Sequence, residues 1–370
     1  MKPIAHPSHF ISCKWVDTFR QLAVAADQAG ELQPDQLSTI YDEQWFNMFV
    51  STNHQGLALT LPDGLKIEEA LAWADGSLGW VVTLCSGAAW FSGFLQPDIA
   101  KLLFTNDKVC FAGSGQPSGI ATVIENGYEI NGHWNYATGA PHATVFTANC
   151  IVAEKKGVRL KNEDGTPVIY SFLFMKDEVT QHKDWHSTGL VATASHSFTV
   201  KQLQVSPNRC FRIDSSFAVS KDPIYQYPFL QFAEATLAIN SSGMAVHFMD
   251  LCDSLVFERS KQNHYPAARI STMHQQLDTA KKALDQYRQE FYNAITASWN
   301  ECVTKKIVSK ELLGAVSTVS RTLAIKARGL VNELYPYCGL VAANRDSELN
   351  RVWRDMHTAS QHPLLIYENE

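Results

Sequence analysis

Three textures follow one another along the chain. Up to about residue 107 apolar positions recur at helical spacing; from 108 to 222 they gather into short β-branched and aromatic runs; from 223 onward helical spacing returns. In the first region, Phe10 to Gly30 reads as a helix ended by its glycine. "LKIEEALAWADGSLGWVVTLCSGAAWFSGFL", Leu65 to Leu95, reads as a longer helical stretch that starts after Pro62-Asp63-Gly64 and breaks at Asp75-Gly76-Ser77. Its second half is apolar all round, which predicts burial on every side. In the middle region, Asn126-Gly127 and Asn131-Gly132 predict tight turns, because such turns need positive φ. Asp164-Gly165 and Pro207-Asn208 predict further turns, and the runs between them predict an antiparallel barrel or sandwich. After Tyr227, three long amphipathic stretches and a shorter one over Glu348–His362 have the lengths of an antiparallel four-helix bundle. No internal repeat or low-complexity segment interrupts this helix–sheet–helix order.

Composition narrows the function. A chain of 370 residues is longer than one core usually supports. Nine Trp, 19 Phe and 12 Tyr are enough to line a pocket for a flat ligand as well as to fill cores. A net charge of −6 gives no basic footprint, so nucleic acid is not an expected partner. No run of 18 apolar residues is present, and the first residues lack the apolar core of a secretion signal. The eight cysteines are far apart with no CxxC pair, which fits reduced, buried thiols. The expectation is a soluble cytoplasmic protein with no membrane partner.

Few local motifs carry chemistry by themselves. Gly113-Ser114-Gly115-Gln116-Pro117-Ser118-Gly119 has Ser118 where a dinucleotide fingerprint needs its third glycine, and a strand follows it. A loop between strands is the simpler reading. His182 and His186 have metal-ligand spacing but no third ligand nearby, so no metal is expected. His357 and His362 are five residues apart, which places them roughly 140° apart around a helix and rules out one shared metal. His362 precedes Pro363, so its imidazole belongs where the helix ends. Arg354-Asp355 reads as a surface pair. Trp134 and Tyr136 alternate with His133 and Asn135 along a strand and either pack in a core or stack on a planar cofactor.

Four segments in the right order carry a resemblance. "GIATVIENGYEINGHWNYATGAPHATVFTANCIV" and "GLVATASHSFTV" resemble the middle domain of the acyl-CoA dehydrogenase superfamily, and look closest to its two-component flavin-dependent monooxygenases. "DGSLGWVV" is similar to the N-terminal domain of that branch, and "LYPYCGLVAANRDSELNRVWRDMHTASQH" to its closing segment. The resemblance implies an α+β fold: an N-terminal helical domain over 1–107, a middle antiparallel β-barrel over 108–222, and a C-terminal four-helix bundle over 223–370. It further implies a flavin (FAD or FMN), a separate flavin reductase, a small organic substrate with aromatic compounds among the candidates, and a homotetramer.

By position, the resemblance puts Ser114, Gln116, Trp134, Tyr136, Thr138 and Gly139 along the flavin, and Gly339 and Arg354 near its phosphates or a subunit contact. Acyl-CoA dehydrogenases carry a catalytic glutamate at about His362-Pro363; this chain has none there, and His362, with His357 as the second candidate, fits the monooxygenase pattern instead. Glu234 is the fallback base for a dehydrogenase. In the substrate region, Trp80, Ala88 and Trp90 align with the branch, but Ala88 stands where it often has a histidine. A flavin-binding scaffold without activity is the remaining alternative.

Overall fold

The computed structural model describes residues 4–154 and 157–366. Helices α1 (Cys13–Ala29), α2 (Pro34–Asp42), α3 (Leu61–Ala74), α4 (Gly76–Ala89) and α5 (Pro97–Leu103) come first. Gly30, at φ 74, caps α1 in the left-handed conformation as the sequence predicts. The second helical stretch begins earlier than its Pro-Asp-Gly suggests. Thr60 accepts a hydrogen bond from the Asp63 N–H, and Pro62 falls in the first turn, where no intrahelical donor is lost. The break at Asp75 is real: Asp75 ends α3 and caps α4 through the Leu78 N–H. Helix α4 is buried almost throughout.

Seven strands follow: β1 (Phe111–Ile124), β2 (Gly127–Ala137), β3 (Val145–Ala153), β4 (Ile169–Met175), β5 (Thr180–His182), β6 (His196–Val205) and β7 (Cys210–Phe211). They pair in the order β5-β6-β2-β1-β3-β4-β7. The expected antiparallel barrel is therefore an open sheet, with β5 and β7 as its two edges, and β1 runs parallel to β3. Gly113–Gly119 is part of β1, not a loop between strands; the register against β3 shifts between Ser114 and Gly119. The hairpin turn is Glu125-Asn126, with Ile124 opposite Gly127. Asn131-Gly132 is no turn. The register of β2 against β6 shifts there, and the Asn131 side chain accepts from the Gln202 N–H across the irregularity. Gly132 and Gly119 are small for packing reasons: a Cβ on either would fall within 2.4 Å of the Trp134 ring. That ring fills the sheet's own core with Phe146, Phe172, Phe174 and Phe198.

The chain then becomes helical: α6 (Phe229–Ser260), α7 (Ala267–Lys305), α8 (Lys310–Cys338), the short α9 (Leu340–Ala343), α10 (Glu348–Ala359) and α11 (Pro363–Ile366). Helices α6, α7 and α8 pack on one another, and α10 packs on α6. Helix α6 is not amphipathic as its sequence implies. From Gln231 to Met249 it is enclosed, because α3 and α4 cover the side that α7 and α8 leave open. Gly243 allows the crossing, since a Cβ there would lie 2.3 Å from the Glu69 carbonyl oxygen. All eight cysteines are free. One stretch, Gly76–Phe94, has the length and apolarity to cross a membrane and is 83% buried within the fold.

Candidate active site

A cavity of about 210 Å³ opens where the sheet meets α4, α6 and the end of the chain. Its sheet wall is made of small residues: Ala112, Gly113, Ser114 and Gly115 from β1, with Thr147, Ala148 and Asn149 from β3 and Ser171 from β4. Asn149 is held between strands, donating to the Gly115 carbonyl and accepting from Ser171. The helical wall is Thr83, Leu84, Gly87 and Ala88 from α4, and Phe229, Phe232, Thr236 and Leu237 from α6. A Cβ on Gly87 would meet only the Phe232 ring edge at 3.8 Å, so the residue leaves open space. Thr138 lies at the seam, its hydroxyl 2.8 Å from that of Ser195, which is 2.8 Å from that of Thr193.

His362 closes the remaining side. It follows the α10 C-cap, and its N–H bonds to the Ala359 carbonyl, so the ring is held at the helix end where Pro363 places it. Nδ1 accepts from the Leu364 N–H at 3.3 Å. The neutral imidazole therefore carries its proton on Nε2. Burial pushes the pKa of His362 down to about 4, so the ring is neutral at physiological pH. Trp80 flanks it, with ring centroids 6.3 Å apart.

Of the residues singled out in the sequence, Ser114, Thr138, Ala88 and His362 meet at this cavity. The others lie elsewhere. Gln116 is exposed on β1. Trp134 points into the sheet core, stacked on Phe198 and donating to the Asn149 carbonyl. Tyr136 has φ 66, breaks the alternation of β2 at a register shift and is 61% exposed. Gly139 turns at φ 74 beside Cys85, whose sulfur would be 2.8 Å from a Cβ there. Trp90 is core, stacked on Phe229 and Phe232 and donating to the Ile224 carbonyl. Gly339 caps α8 at φ 68. His357 packs on Trp353 and bonds to Asn332 outside the cavity. Glu234 is buried beside the cavity wall but bonds to Arg321 at 2.8 Å and to Ser317.

Arg354-Asp355 is not a surface pair. Arg354 reaches the Thr188 carbonyl and Asp27 of α1, at 2.5 and 3.1 Å, while the buried Asp355 accepts from the Leu190 N–H at 2.5 Å. Thr358 accepts from the Gly189 N–H, and a Cβ on Gly189 would lie 2.1 Å from the Arg354 carbonyl. These contacts dock α10 on the sheet's 188–190 loop and so fix His362. The residues the sequence did not reveal are Thr83, Leu84, Gly87, Phe229, Phe232, Thr236 and Asn149. The one available signal was Gly87-Ala88, two small residues inside an otherwise bulky apolar helix.

The flat, small-residue wall on the sheet side, with hydroxyls and backbone groups at its edge, fits one face of an isoalloxazine ring, and the phenyl rings opposite are left to face a second planar molecule. Comparison with known proteins bears on the fold. Residues 235–366 match the family model described as acyl-CoA dehydrogenase, C-terminal domain. Indole-3-acetate monooxygenase of Pseudomonas putida is 23% identical over 348 residues, which span 93% of this chain and 87% of that one. The crystal structure of 3-HSA hydroxylase from Rhodococcus sp. RHA1 superposes with a TM-score of 0.86 at 20% identity, covering 95% of this chain and 91% of that one. XiaF from Streptomyces sp., solved with FADH2 and glycerol, superposes at 0.82 with 16% identity, covering 95% and 89%. The fold is acyl-CoA dehydrogenase-like.

Proposed function

We propose that this chain, with its acyl-CoA dehydrogenase-like fold, is the oxygenase of a two-component flavin-dependent monooxygenase acting on a small organic, aromatic substrate. The observation that carries the reading is His362: it is the only titratable side chain lining the cavity among the described residues, and the resemblance of the closing segment puts it where a dehydrogenase carries its carboxylate. Reduced flavin, delivered as FADH2 or FMNH2 by a separate reductase, supplies the electrons that activate O2, one oxygen atom going to the substrate and the other leaving as water.

The protein's tasks follow from its side chains. Ser114 and the glycines beside it on β1 offer backbone groups and room for the ring; Thr138 offers a hydroxyl at its edge, oriented by Ser195. Leu84, Phe229 and Phe232 would exclude water, which suppresses loss of the activated oxygen as hydrogen peroxide. His362, which lines the cavity, holds its proton on Nε2 and would donate it as a hydrogen bond without carrying charge. Gln116, Tyr136, Gly139, Gly339 and Arg354 belong to the outer reaches of the cofactor site or to its support, and His357 to the support of α10. Trp80 and Trp90 back the substrate side without lining it. The dehydrogenase alternative is disfavoured because Glu234, its candidate base, is bound to Arg321.

We further propose a cytoplasmic homotetramer, with the division 1–107, 108–222 and 223–370 as its domains. Leu340, 88% exposed, and its neighbours Tyr337 and Val341 give an apolar corner that assembly would cover. Anaerobic titration with reduced FAD and FMN, then mixing with aerated buffer, tests the central reading. The expected result is tight flavin binding, and slow peroxide release that substrate diverts to oxygenated product. His362→Ala should bind flavin within about threefold of wild type yet release peroxide at least tenfold faster, with roughly 10²-fold less product. A protein that binds neither flavin, or a variant with unchanged coupling, would defeat the assignment.

A further inference from the structure

Resting on the monooxygenase reading, we infer that the substrate is an uncharged aromatic molecule, and that carboxylate-bearing aromatics are rejected by this cavity. The helical wall decides this. Leu84, Ala88, Phe229, Phe232 and Leu237 are apolar, and the polar groups among them are the hydroxyls of Thr83 and Thr236. No Lys, Arg, Asp or Glu lines the cavity among the described residues, from the sheet, from α4 and α6, or from the end of the chain. The one basic side chain, His362, is neutral at physiological pH, because burial holds its pKa near 4 and no carboxylate faces it to raise it. It is the one group in the cavity that could pair with an anion, and its burial opposes the charged form.

Thr83 is engaged already: its hydroxyl accepts from the Asn240 side chain at 2.9 Å, and its O–H faces the buried Glu68. Glu68 is buried behind Thr83 and Ser86, whose hydroxyls face it, and burial holds its pKa well above the usual carboxylate range, so the group is uncharged. A neutral Glu68 supplies no counter-charge to an anion at Thr83. A carboxylate entering this site loses its hydration and finds no counter-ion, a loss of several kcal/mol for an ion of that size. A neutral ring loses only apolar hydration and gains the phenyl faces of Phe229 and Phe232. The Pseudomonas relative is named for an anionic ligand, so its specificity does not carry over to this chain.

The test uses the full-length protein and matched ligand pairs. Flavin binding is measured first by quenching of flavin fluorescence, then ligand binding to the flavin-loaded protein by calorimetry. The probes are indole, benzothiophene and naphthalene against indole-3-acetate, benzothiophene-2-carboxylate and 1-naphthaleneacetate. The expected result is binding of at least one neutral probe and about 10²-fold or weaker binding of its acid at pH 7. Apparent affinity for that acid should then rise about tenfold for each pH unit lowered from 7 to 5, as the neutral acid becomes available while His362 stays uncharged. Acids that bind as tightly as their neutral partners, or no binding by any neutral probe, would overturn the inference. Failure to bind flavin would instead remove the monooxygenase reading on which it rests.

Discussion

At the scale of single residues, the proposed site depends on a histidine kept neutral. His362 has a folded pKa near 4 against 6.5 for an unburied imidazole. Between those values the unfolded chain binds the proton and the folded chain does not, so stability rises with pH across the window and is lost as pH falls toward 4. His362→Asn cannot titrate, and its amide can accept from Leu364. Urea unfolding at pH 7 and pH 4.5 should show the wild type losing roughly 1–2 kcal/mol more than the variant, after discounting for the ring's partial exposure. Equal losses would mean that the ring is accessible to water, and its role as a neutral donor would fall with that. Catalysis should correspondingly show no acid limb from this group near pH 6.5.

At the scale of elements, α10 is the part that delivers the histidine, and Asp355 is its most costly anchor. Burial, with the neighbouring Asp75 adding repulsion, pushes the Asp355 carboxyl from 3.8 up to about 7. A raised folded pKa means that the native state holds the proton more tightly. The contribution is full below pH 3.8 and is lost as pH rises through 7. Asp355→Asn keeps an acceptor for the Leu190 N–H but cannot ionise. Its melting temperature should therefore match or exceed that of the wild type at pH 8 and lose that advantage at pH 5; a variant that is less stable at pH 8 would show that the charge itself, facing Arg351 and Arg354, holds the helix.

The anchor also shows how far the sequence could be read. Helix–sheet–helix order and the position of His362 follow from periodicity, from the turn-forming glycines and from Pro363, all of which act locally. The tasks of Arg354 and Asp355 depend on a loop more than 160 residues away, and no local pattern records that. Trp134 shows the same limit. Alternation along β2 correctly separates it from His133 and Asn135, but only the curvature of the sheet decides that its face is the core and not the cavity. The open edges at β5 and β7 were equally invisible, because strand runs specify pairing partners weakly. Within α4 and α6, burial on every side hides which positions face the cavity, so Leu84, Phe229 and Phe232 could not be told from ordinary core.

At the scale of the whole molecule, the helices on either side of the sheet in sequence are joined by one buried ion pair. Glu69 on α3 takes Arg288 of α7 in a two-pronged contact, Nε to Oε1 at 2.7 Å and Nη2 to Oε2 at 3.0 Å. Tyr292 and Ser242 donate to the same carboxylate, and Arg288 also reaches the Ala5 carbonyl, so α3, α6, α7 and the N-terminal residues meet at one point. Both side chains are almost wholly buried. Such a pair need not be more stabilising than a hydrophobic replacement, yet removing one member strands the other charge. Arg288→Met should cost about 3–5 kcal/mol in chemical unfolding, whereas Glu69→Gln with Arg288→Met should cost clearly less. Neither residue lines the cavity, so flavin affinity of the folded fraction should be unchanged in both. If the double variant is as unstable as the two single losses added together, the pair is not coupled, and the joining of these helices rests on apolar packing at Gly243 instead.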